Sequence, residues 1–156
     1  MANVSRKAIA AALLTAVAPP GGPFIINGRR LTKPESAASP GKPALFLIKP
    51  NERHRKDVAG EPPERVMRFH VLIFTDVGTD ATAVPADVID DLVDFVEVAL
   101  APSFQQQVQF GGRQTLGLDP AVYDCAIDGE PLFAPGDNQG KGQTLIPIKV
   151  TLGQYP

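Results

Sequence analysis

The sequence predicts an α+β fold, a mostly antiparallel sheet with two main helices packed on it and long loops, in a single domain over residues 1–156. Three observations predict it. Residues Arg65–Thr75 alternate: Met67, Phe69, Val71 and Ile73 point one way, and Val66, Arg68, His70, Leu72 and Phe74 the other, which is the period of a strand. Two segments, 5–17 and 86–101, repeat apolar residues at helical spacing. Proline contributes 16 of the 156 residues, against a usual share of about 5%. Proline is excluded from helix interiors and central strands. A chain this rich in it divides into short elements joined by loops, which argues against an all-helical bundle.

The elements follow in order. Ser5 is a candidate N-cap for a helix over 5–17, in which Ile9, Leu13 and Val17 share a face, and Pro19-Pro20-Gly21-Gly22 stops it. Arg6 and Lys7 ahead of an apolar run ending in Ala16-Val17-Ala18 also have the outline of a secretory leader. The shared face favours an ordinary helix, and the run is too short to span a bilayer. Phe24-Ile25-Ile26 reads as a short strand turned by Asn27-Gly28, and residues 29–43 as a polar loop. Leu45-Phe46-Leu47-Ile48 is apolar on both faces, as an inner strand is. A second long loop over 50–64, bounded by Pro50 and Pro62-Pro63, joins it to the 65–75 strand as an extended hairpin.

After Pro85, the helix over 86–101 presents Val88, Leu92, Phe95, Val96 and Ala99 as its core face, widened by Ile89, Val93 and Leu100. Asp87, Asp90, Asp91, Asp94 and Glu97 fall on the opposite stripe, and Pro102 ends the helix. Gln105-Gln106-Gln107 then leads to Gly111-Gly112. Val122–Ile127 is a strand with Tyr123, Cys125 and Ile127 on one side, and residues 128–143 form a Gly/Pro/Asp loop. Leu145–Leu152 closes the chain, with Ile146, Ile148, Val150 and Leu152 toward the core. Pro147 has no amide donor, so this strand is expected at an edge or bulged, with Leu145, Pro147, Lys149 and Thr151 as the candidate edge.

The residues offer little that resembles catalytic chemistry. The formal net charge is −2, from 15 basic and 17 acidic residues, without the basic excess that marks nucleic-acid binding. One cysteine allows no intrachain disulfide, and with His54 and His70 it makes no zinc set. Asp90 and Asp94 have the spacing of a hard-cation pair, but a carboxylate stripe opposite a good apolar face reads as solvated. Gly136–Gly142 resembles a phosphate loop only superficially: Pro135 stands where its first glycine belongs and Gly142 where Ser or Thr belongs. Cys125, inside an alternating strand, reads as a small buried hydrophobe. The densest charge cluster is Glu52, Arg53, His54, Arg55, Lys56 and Asp57. Placed in the expected second long loop, these are the candidate subunit or channel contacts, since loops of that length are often functional. No catalytic, cofactor-binding or metal-binding residue is assigned.

The ordering of these pieces carries a resemblance. Arg6-Lys7-Ala8-Ile9 through Val17 resembles the opening helix of the tail-terminator (tail-completion) proteins of long-tailed bacteriophages. Pro43-Ala-Leu-Phe-Leu-Ile48, the charged segment and Phe69-His-Val-Leu-Ile-Phe74 are similar to their central hairpin, and Asp87–Leu100 to their second helix. Gln114-Thr115-Leu116-Gly117, Ala121–Gly129 and Ile146-Pro-Ile-Lys-Val150 resemble their C-terminal half, with Leu118 where a second glycine is usual. The resemblance covers nearly the whole chain.

It implies a structural protein with no enzymatic activity and no cofactor. Such a protein forms a hexameric ring that caps the tail tube, stops tube polymerisation and joins the tail to the head-side connector. The implied partners are the tail tube protein, a neck or connector protein and, in some tails, a sheath protein. DNA passes through the channel without sequence-specific binding, and no membrane is involved. The implied location is the tail–neck junction of the virion, after assembly in the host bacterial cytoplasm. A ring needs head-to-tail contacts that close, and edge strands and long loops can supply them. Near-neutral charge lets a channel pass DNA without holding it. The alternatives are another neck or head–tail connector ring protein, a small cytosolic α+β enzyme or ligand-binding domain with a concave pocket, and a secreted binding domain whose mature chain starts near residue 19.

Overall fold

The structure, a computed structural model, describes residues 4–30, 38–56, 58–60, 64–134 and 140–153. Helix α1 (Arg6–Val17) starts where the sequence places it. Ser5 Oγ accepts from the Ala8 amide at 3.1 Å, satisfying one of the free donors of the first turn. Ile9, Leu13 and Val17 are buried along one face. Phe24, expected in a strand, instead enters the core, edge-on to Phe95 with 6.0 Å between ring centroids. The strand itself, β1, is Ile26–Gly28 and runs parallel to β2 (Ala44–Arg55). Asn27-Gly28 is therefore strand and not a hairpin turn. A parallel pair needs a crossover of a dozen or more residues, and the segment after Gly28 provides that length.

β2 and β3 (Glu64–Asp76) pair from Ala44↔Phe74 to Arg55↔Glu64, well beyond the apolar stretch that marks β2 in the sequence. One irregularity interrupts them: Ile48 lies opposite His70, but Asn51 lies opposite Arg68. The extra residue on β2 is a bulge at Lys49-Pro50, a site where a missing amide donor does no harm. It also reverses the strand's phase. Before it, odd-numbered Leu45 and Leu47 face the main core; after it, even-numbered Glu52 and His54 share the side of Met67 and Arg65.

Helix α2 (Pro85–Leu100) has Pro at its first turn and buries Ile89, Leu92, Val93, Val96 and Leu100. Val88, Phe95 and Ala99, expected at the centre of the face, lie half-buried at its margins. Helix α3 (Phe104–Phe110) is absent from the sequence expectation. A reciprocal cap builds it: Ser103 Oγ accepts from the Gln106 amide, the Gln106 side chain accepts from the Ser103 amide, and Gly111 closes the helix at φ 63°. The following turn puts Leu116 and Gly117 in the left-handed region, at φ 55° and 70°. Leu118 lies outside that region and packs against the core, so no glycine is needed there.

β4 (Val122–Ile127), β5 (Leu132–Ala134) and β6 (Lys141–Leu152) complete a six-stranded sheet of order β1-β2-β3-β6-β4, with β5 also on β6. The class is α+β. The sheet is mixed, since β1–β2 is parallel and the other pairings are antiparallel, and three helices accompany it among the described residues. One large cluster joins Leu13 and Val17 of α1 and Ile89 and Val96 of α2 to Met67, Phe69, Val71, Ile146 and Ile148 of the strands.

The placement of β6 corrects the expected edge. Leu145, Pro147, Lys149 and Thr151 lie in a strand paired on both sides, with β3 along one edge and β4 and β5 in turn along the other. Pro147 is tolerated because it falls between the two short neighbours: β4 ends opposite Ile148 and β5 begins opposite Leu145. Its carbonyl accepts from the Asp128 amide at 3.0 Å. A residue's N–H and C=O share an edge of a strand, so the missing donor points into that gap.

Candidate functional site

The register lays out two surfaces on opposite sides of the β2–β3 arm. Paired residues stand side by side, so strand partners line up into rows across the sheet face turned away from the large cluster. Phe46, Leu72, Leu145 and Leu132 make one apolar row across β2, β3, β6 and β5. Ala44, Phe74, Gln143 and Ala134 make the next, and Ile48, His70 and Pro147 the one on the other side. Past the bulge the rows become Asn51, Arg68 and Lys149, then Arg53, Val66 and Thr151.

The face is thus apolar at one end and basic at the other. Ala44, Phe46 and Phe74 form a second buried cluster, joined by Ala38 and Leu72, to which no helix contributes. Beside it opens an apolar groove of about 390 Å³ lined by Leu72, Phe74, Leu132, Phe133 and Leu145, among others. Leu132 remains 65% exposed and Phe133 51%. The basic end holds a smaller hollow of about 190 Å³ among Arg53, Arg55, Glu64, Val66, Arg68 and Lys149. Arg68 is ion-paired with Asp128, just past the end of β4.

The charge cluster singled out in the sequence lies on β2 and not in a loop, and strand alternation splits it. Arg53 and Arg55 face the basic hollow. Glu52 turns to the other side, under the start of α1. Its carboxylate takes Arg6 at 2.6 and 3.0 Å, His54 at 2.9 Å, Arg65 at 3.2 Å and Lys49 at 3.3 Å. The Arg6 guanidinium, with Arg65 and Lys49, holds the Glu52 carboxyl well below the usual carboxylate range, against the opposing effect of its burial. Glu52 is therefore a clamp inside the subunit. Lys56 is exposed at the end of the arm, and Asp57 lies outside the described residues, as do residues 135–139 of the Gly-rich segment.

Elsewhere the chemistry is spare. Cys125 is buried, and burial, with Asp124 adding repulsion, pushes its thiol up to about 12, so it stays protonated. Asp90 and Asp94 are exposed on α2, and no group of three potential ligands able to hold a metal ion occurs among the described residues. Nor, among those residues, is any helix long and apolar enough to cross a membrane. A hollow of about 470 Å³ lies between the start of α1 and the strand ends, lined by Arg6, Lys7, Arg65 and Leu152 among others.

Sequence reasoning missed the apolar row. Leu72 and Phe74 were visible as apolar residues on the nominally polar side of β3. Their partner Leu132 sits on a three-residue strand flanked by Pro131 and Pro135, too short to show a period. It also missed α3, whose Phe104 and Val108 are 80% and 69% exposed on neighbouring turns. The signal was present as Ser103 followed three residues later by Gln106. No protein-family model matches the chain, and no curated protein matches it.

Proposed function

We propose that this chain is a structural assembly subunit, the tail terminator of a long-tailed bacteriophage, with α1 and α2 covering one face of a mostly antiparallel sheet and the other face left for partners. Copies close into a hexameric ring that caps the tail tube, ends its polymerisation and offers a different surface to the neck or connector protein, with the sheath protein as a further neighbour in a contractile tail. DNA crosses the ring without sequence-specific contact. The protein acts at the tail–neck junction of the virion, after assembly in the host cytoplasm, and uses no cofactor.

The observation that carries this reading is the sheet face just described. Its apolar row, with Leu132 65% exposed, borders a basic strip. Contiguous apolar surface rimmed by charge is the mark of a protein–protein interface. The order of elements along the chain adds the resemblance to tail terminators.

The test is the mass of the purified chain in solution and electron microscopy of any large species, alone and with purified tail tubes. A closed ring, or a monomer that forms one at tube ends and prevents their further growth, supports the terminator. A ring that binds isolated connectors and ignores tube ends would move the assignment to a neighbouring neck protein. A monomer indifferent to both overturns the assembly reading.

A further inference from the structure

The geometry points to a specific head-to-tail contact between copies of this chain: the outer stripe of α2 with helix α3 of one copy docks on the helix-free sheet face of the next, Phe104 entering the apolar groove and the α2 carboxylates meeting the basic strip. This rests on the reading of the chain as a self-assembling subunit and names the surfaces that meet.

Each surface is half apolar and half charged, and the charges are opposite. On α2, Asp87, Asp91, Asp94 and Val98 follow at helical spacing along one exposed stripe, with Val98 75% exposed. Phe104 and Val108, 80% and 69% exposed, follow on α3, whose first residue comes four positions after α2 ends and which buries none of its own residues. No ion pair joins Asp87, Asp91 or Asp94 to another described residue. On the sheet, the same transition runs from Arg53 and Lys149 to Leu72 and Leu132.

The occupant is a second copy because the chain itself carries both halves. A knob and a groove on different parts of one subunit make a heterologous contact, in which every copy uses its knob on one neighbour and its groove on the other. Like-signed faces of two copies would repel, which selects the α2-to-sheet arrangement over sheet-to-sheet pairing.

Charge reversal separates this contact from any other. The variant D91K/D94K carries basic groups on both surfaces, and R53E/K149E carries acidic groups on both. Each alone is expected to associate about tenfold or more weakly than the unaltered chain by sedimentation velocity, since like charges then face each other across the contact. An equimolar mixture is expected to reassemble, because each surface of one variant complements the opposite surface of the other. F104A, on a helix that buries nothing, is expected to associate more weakly than the unaltered chain without a lower unfolding temperature. Variants that assemble alone as the unaltered chain does, or a mixture that stays dissociated, would overturn the contact while leaving the ring in place. An unaltered chain that caps tail tubes yet never self-associates overturns the contact and not the terminator assignment. One that does neither overturns both.

Discussion

Glu52 stands where α1 meets the β2–β3 arm, and Arg6, Lys49, His54 and Arg65 converge on its carboxylate. Its side chain is 10% exposed, so the charge is compensated by these partners more than by water. Replacing it in Glu52→Gln leaves Arg65, whose Nε is already buried without a partner among the described residues, with a weaker acceptor. The expected loss is about 1–3 kcal/mol in chemical denaturation near neutral pH, the usual cost of a charged hydrogen bond. The pH dependence has a definite sign. A carboxyl held below its unfolded value, about 4.3 for glutamate, contributes its full stabilisation above that value and loses it as pH falls toward the folded one. The unaltered chain is therefore expected to lose stability steeply below about pH 4.3, and Glu52→Gln to lose less over the same range. Parallel acid limbs for the two chains would show that Glu52 is not clamped.

At the scale of elements, α3 shows how local chemistry makes a helix that the core does not require. Its cap bonds of 2.8 and 3.2 Å and its left-handed Gly111 hold it, and Gln106 also donates to buried Gln114 at 2.7 Å. Ser103→Ala is expected to cost about 1 kcal/mol locally. Hydrogen exchange should rise in 104–110 while the core strands keep their protection; unchanged exchange there would mean the cap is idle. The same distinction explains what was legible in the sequence. Elements with a long apolar period could be read directly: α1, β3 and the inward side of β6 bury the residues their spacing names, and α2 buries Ile89, Leu92, Val93, Val96 and Leu100 with Val88, Phe95 and Ala99 at the margins. Elements made by backbone pairing under polar side chains could not. Asn51–Arg55 look like a charged loop, yet pair with Val66, Met67 and their neighbours as a strand. Pro147 argues for an edge on sequence grounds because nothing in the sequence announces the gap between β4 and β5. The candidate site suffered most, since its rows are assembled from four strands whose order only the fold supplies.

At the scale of the whole molecule, opposite charges sit on separate surfaces although the formal net charge is only −2. Contacts built from such surfaces weaken with salt, because the screening length falls from about 8 Å at physiological ionic strength to about 3 Å at 1 M. Self-association is accordingly expected to decline from low to moderate salt, with the apolar groove sustaining a residual fraction. Association that strengthens steadily with salt would assign the contact to apolar burial alone. On the β2–β3 arm, one extra residue decides which charges meet which surface. Were the same residues paired straight through without the bulge at Lys49-Pro50, the register beyond it would slip by one, turning Glu52 and His54 to the outer face and Arg53 and Arg55 beneath α1. In coding terms, losing one codon at 49–50 would straighten the strand and leave Asn51–Arg55 paired and facing as they are, because the bulge already holds the extra residue. Homologous chains are therefore expected to vary in length at the bulge while keeping the alternation of Asn51–Arg55, whose phase decides which charges lie under α1.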